Sequence, residues 1–73
     1  MYQIQNSAQE VKVHAVDHDQ LSISLLRQGV APVVIAELVR DIDWDRKREI
    51  SNRFGEIIRV TAGHLPRGAV VSI

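Results

Sequence analysis

Cysteine is absent from the chain. No disulfide can brace the fold, no thiolate can hold a metal, and there is no cysteine nucleophile. Aromatic residues are nearly as scarce, with one Phe, one Trp and one Tyr, so the core must be built from Val, Ile, Leu and Ala. Net charge is missing too: nine basic residues face nine acidic ones. That balance argues against a nucleic-acid partner, which calls for a basic excess. No apolar run reaches the roughly 18–20 residues of a membrane span, so no membrane association is expected. Met1-Tyr2-Gln3-Ile4-Gln5-Asn6 has no basic start followed by an apolar stretch. It does not read as a signal peptide, and a cytoplasmic location is the expectation. The His, Asp and Glu residues show no metal-ligand spacing, and no cofactor is expected. Repeats, low-complexity tracts and linkers are also lacking.

What remains is a single small domain of 73 residues. A domain near this size buries only about 60% of the surface its unfolded chain exposes, which leaves a marginal core. Without disulfides or metal, the remaining support is a second copy. Homo-oligomerisation is therefore expected.

Residues 1–31 read as an N-terminal strand-and-turn segment, in which Met1 to Ala8 forms a strand or a loose arm. Glu10 to Val16 alternates, with Val11, Val13 and Ala15 on one side and Lys12 and His14 on the other, the pattern of a half-buried strand. Asp17-His18-Asp19 breaks it, and either aspartate suits a helix N-cap. Leu21 and Leu25 at i,i+4, with Gly29 as a stop, favour a short helix. The strict alternation of Leu21-Ser22-Ile23-Ser24-Leu25 keeps a hairpin open as the alternative.

Residues 32–73 read as strand, long helix and strand. Val33 to Leu38 is a continuous apolar run of the kind found in strands buried on both faces. Pro32 suits the first residue of such a strand. Asp43 then serves as an N-cap for a helix over Trp44 to Ala62, where Ile50, Phe54, Ile57, Ile58 and Thr61 form one apolar stripe. Glu49 and Arg53 make an i,i+4 pair within it. Gly55 interrupts the pattern, and the β-branched residues around Ile57 to Thr61 leave open a strand over Glu56 to Ala62. Gly63 to Gly68 turns the chain, and Ala69 to Ile73 closes it as a strand parallel to the first. The expected fold class is α+β: a β-α-β unit with parallel strands and one long helix on a small sheet, preceded by an additional strand or hairpin.

Those residues carry a resemblance. Pro32-Val33-Val34-Ile35-Ala36-Glu37, Asp43 to Ile50 and Gly63 to Ile73 together resemble the β-α-β building block of the tautomerase superfamily. That group includes 4-oxalocrotonate tautomerase and the malonate semialdehyde decarboxylases. The resemblance implies a small α+β fold assembled as trimers or multiples of them, with a keto-enol isomerase site for a small carboxylate or keto acid at a subunit contact. It puts Pro32 at the place of the family's catalytic proline, and it makes Arg40 and Arg67 the candidates for binding substrate carboxylate. Pro32 follows Ala31, however, so its nitrogen is a tertiary amide, and only cleavage after Ala31 would free it.

Each residue also has a structural reading. Pro32 fits a strand edge, and Arg40 and Arg67 fit a solvated surface. His14, His18 and His64 are scattered, with His18 suited to capping a turn. Asp41, Asp43 and Asp45 are explained by capping. Trp44 reads as an anchor for packing or for a subunit contact. Two function classes follow: a tautomerase-like isomerase, or a non-catalytic assembly or scaffold module. A cell-division scaffold resembling SepF is one form of the second, since it shares the strand-helix-strand rhythm.

Overall fold

The structure is a computed structural model, and it describes residues 1–9 and 12–63. Its elements run β1 (Tyr2–Asn6), β2 (Lys12–Ala15), α1 (His18–Arg27), α2 (Pro32–Asp45), β3 (Lys47–Ser51) and β4 (Ile57–Ala62). The strands form one sheet in the order β2-β1-β4-β3, and every neighbouring pair is antiparallel. Two hairpins thus lie side by side, and the helices between them cover one face of the sheet.

This arrangement overturns the expected β-α-β unit. Four antiparallel strands and two helices stand where parallel strands and one long helix were read. Val33 to Leu38 is not a strand but the first half of α2. Pro32 occupies the first helical turn, where its missing N–H costs nothing and its fixed φ is already helical. Ile35, Leu38 and Ile42 are buried, and their spacing of three and four gives the helix its core-facing stripe. Trp44 to Ala62 is not a helix. Trp44 and Asp45 end α2, Arg46 takes a left-handed conformation at φ 68, and β3 and β4 follow as a hairpin. Ile58 and Val60 point into the core while Ile57 and Arg59 point out, so Ile57 and Ile58 fall on opposite faces instead of sharing a stripe. The strand left open over Glu56 to Ala62 corresponds to β4. Asp43, read as an N-cap, lies in the last turn of α2. The closing strand, Ala69 to Ile73, lies outside the described residues.

The first half folds closer to its pattern. β2 keeps Val13 and Ala15 on the covered face and Lys12 and His14 on the open one. Asp17 caps α1, its Oδ1 accepting from Gln20 N at 2.8 Å. At the other end, Gly29 N donates to Leu26 O and Val30 N to Leu25 O. With Gly29 at φ +85, these bonds form a Schellman stop.

The core joins all six elements. Ile4, Leu21, Leu25, Leu38, Ile42, Ile58 and Val60 are its fully buried large side chains. The opposite face of the sheet presents Gln3, Gln5, Lys47, Glu49, Ser51 and Arg59, with Ile57 as its large apolar residue. Glu49 lies opposite Arg59 across the hairpin and pairs with it at 2.8 Å, in place of the helical pair with Arg53. Among the described residues, no helix is long and apolar enough to cross a membrane.

Candidate functional site

The residues singled out by sequence do not converge among the described residues. Pro32 opens α2, and Arg40 lies about 12 Å further along its axis at 1.5 Å per residue. Arg40 is exposed, and its guanidinium sits 3.2 Å from Asp41. The hydrogen bond between them raises the Arg40 pKa and lowers that of Asp41. Arg67 lies outside the described residues. His14 stands on the open sheet face; His64 also lies outside the described residues.

Two other places gather side chains. The first joins β1, the start of α1 and the end of α2. Tyr2 Oη donates to Asp43 Oδ1 at 2.6 Å, and His18 Nε2 lies 3.0 Å from Asp43 Oδ2. A carboxylate only accepts, so Nε2 carries the proton of that contact. The Tyr2 and His18 rings sit 5.5 Å apart. The Tyr2 bond, then the His18 bond, holds the Asp43 carboxyl below its usual range. Burial, reinforced by that carboxylate, pushes the Tyr2 hydroxyl up to about 12. The cleft above measures about 450 Å³ and is lined by Tyr2, Val16, Asp17, His18, Asp19 and Asp43. It brings an oriented imidazole, a phenol and a carboxylate together, with no Ser, Thr, Lys or Arg among its lining residues. Among the described residues, no three His, Asp or Glu side chains are placed to hold a metal ion. The sequence had no signal for this junction, because Tyr2 and Asp43 are 41 positions apart.

The second place is a groove of about 520 Å³ in the elbow between α1 and α2. Leu26 and Pro32 line one side, Phe54 the other, with Arg27 and Arg53 alongside. Asn52 supports it from beneath and is buried. Its Nδ2 donates to Gln28 O at 2.7 Å and to Glu56 Oε1 at 2.8 Å, while its Oδ1 accepts from Phe54 N and Glu56 N. The Asn52 bond, and then one from Asn6, lowers the Glu56 pKa. Arg53 N also donates to Gly29 O, which fastens the β3–β4 turn to the elbow. The Arg53 guanidinium lies 4.9 Å from the centre of the Phe54 ring, a cation–π contact. No carboxylate among the described residues pairs with Arg27 or Arg53.

The groove belongs to a wider apolar exposure. Trp44 is 86% exposed and Phe54 63%, whereas Tyr2 is 7% exposed. Trp44 ends an outward stripe on α2 that runs through Val33, Glu37 and Arg40. Ile23 and Leu26 are half exposed on α1. The polar sheet face and the apolar helical side thus face opposite ways.

No family model, no curated protein and no solved structure matches this chain.

Proposed function

We propose that the chain is a non-catalytic assembly module that contacts copies of itself through its helical layer. The carrying observation is the exposure of Trp44 at 86% in a chain with one Trp. A protein with so few aromatics gains most by burying them, because one such side chain removes about 150–250 Å² from water. At about 25 cal/mol per Å², covering Trp44 contributes about 4–6 kcal/mol before the costs of association. Tryptophan is also enriched among the residues that dominate protein contacts.

This reading is preferred to a keto-acid isomerase. Pro32 is bonded through its nitrogen at the head of a helix, and the guanidinium of Arg40 is engaged by Asp41. Neither arrangement favours proton transfer or carboxylate binding, whereas an exposed tryptophan suits a protein contact. Sedimentation equilibrium over a wide concentration range tests the proposal. A mass that rises above that of one chain with concentration supports it. A mass of one chain at every concentration contradicts it.

A further inference from the structure

The groove and the exposed tryptophan have complementary chemistry. The groove offers Leu26, Pro32 and Phe54 as apolar walls, with the cations Arg27 and Arg53 beside them. Trp44 is a large apolar knob flanked by two acids, Asp43 and Asp45. Asp43 is occupied by Tyr2 and His18. Asp45 is held only loosely, 3.9 Å from Arg48, and stays half exposed.

Within one copy they cannot meet. Pro32 begins α2 and Trp44 stands at its other end, about 18 Å along the axis. The chain carries no net charge, so copies do not repel one another as wholes, and the half-exposed Asp45 can meet Arg27 or Arg53, which have no carboxylate partner among the described residues.

We infer that Trp44 of one copy docks in the α1–α2 elbow groove of the next, with Asp45 facing Arg53 or Arg27. This rests on the assembly reading above and specifies its contact. The contact is heterologous: each copy offers one knob and one groove. Copies therefore join head to tail, forming a ring if the rotation closes and an open stack if it does not.

The test uses two variants that each break one half. Trp44→Ala removes the knob and leaves the groove. It also leaves the chain without tryptophan, because Trp44 is the only one. Leu26→Glu combined with Arg53→Glu spoils the groove and leaves the knob; both side chains are exposed, so the fold should stand. Far-UV circular dichroism checks this, and Arg53→Glu alone serves if the double variant does not fold. Each variant by itself should have the mass of one chain. Titrating the Trp-free variant into the groove variant should shift Trp44 emission to the blue and yield a one-to-one dimer that grows no further. Arg53→Glu should weaken wild-type assembly by more than about tenfold, and adding Asp45→Arg to the same chain should recover part of that loss.

Assembly of the wild type with Trp44 emission unmoved in the mixture overturns this contact and leaves the assembly reading standing. Undiminished self-association of Trp44→Ala does the same. A wild type that remains a single chain at every concentration overturns both.

Discussion

Asn52 Nδ2 donates to the carbonyl oxygen of Gln28 at 2.7 Å, across 24 positions of sequence. That bond ties the β3–β4 turn to the end of α1 and holds the two sides of the elbow groove together. It is one of four made by a side chain that is 7% exposed.

Asn52→Ala removes all four partners at once and leaves buried backbone groups unpaired. The expected loss is about 2–4 kcal/mol of folding stability. Urea unfolding, with the slope compared between variant and wild type, measures it.

Gly29→Ala and Gly55→Ala separate strain from collision. Both glycines have positive φ, +85 and +78, so each alanine costs at least about 1–2 kcal/mol. A Cβ at Gly29 would also lie 2.9 Å from Phe54 Cε2, while nothing lies within 4 Å at Gly55. Gly29→Ala should therefore be the more destabilising of the two, and it should weaken assembly by displacing Phe54. Thermal melts and sedimentation of both variants check the difference.

The alkaline limb of stability reports on Tyr2. Its folded pKa is raised to about 12, against about 10 in an unfolded chain. The unfolded state releases the proton first, so this contribution is complete below about pH 10 and is lost as pH rises toward 12. The ultraviolet absorbance of tyrosinate is specific here, since the chain has one Tyr. It should appear near pH 12, and Tyr2→Phe should flatten the stability loss over that window.

The acid limb reports on Asp43. Its folded pKa is lowered, chiefly by the Tyr2 hydrogen bond and then by His18. Its contribution is present above the unfolded carboxylate value of about 3.9 and disappears as pH falls through the lower folded value. Asp43→Asn should make urea midpoints less dependent on pH over that interval.

Local signals were legible where they were strong. Asp17, the Leu21–Leu25 spacing and Gly29 marked α1, and the alternation of Val13, His14 and Ala15 marked β2. The strand alternative after Gly55 rested on β-branched residues that do form β4. Val33 to Leu38 is apolar enough to serve as a strand, and this hides the first half of α2 in the sequence. Extending the pattern past Arg40 brings in Ile42, and Val34, Ile35, Leu38, Val39 and Ile42 then follow a helical period. Conversely, Ile50, Phe54, Ile57 and Ile58 read as a helical stripe, although Ile50 lies in β3, Phe54 in the turn at Asn52 to Glu56, and Ile57 and Ile58 in β4. The expectation that Trp44 anchors packing within the chain does not hold, since the side chain is 86% exposed. The junction of Tyr2, His18 and Asp43 was not legible, nor was the groove, because each depends on how distant segments pack.

Trp44 should face water in a single copy and be covered in the assembly. Acrylamide quenching of its fluorescence across a dilution series tests this directly. Quenching should be strong in dilute solution and fall as concentration rises. Equally strong quenching at every concentration, while the sedimenting mass grows, would contradict the account.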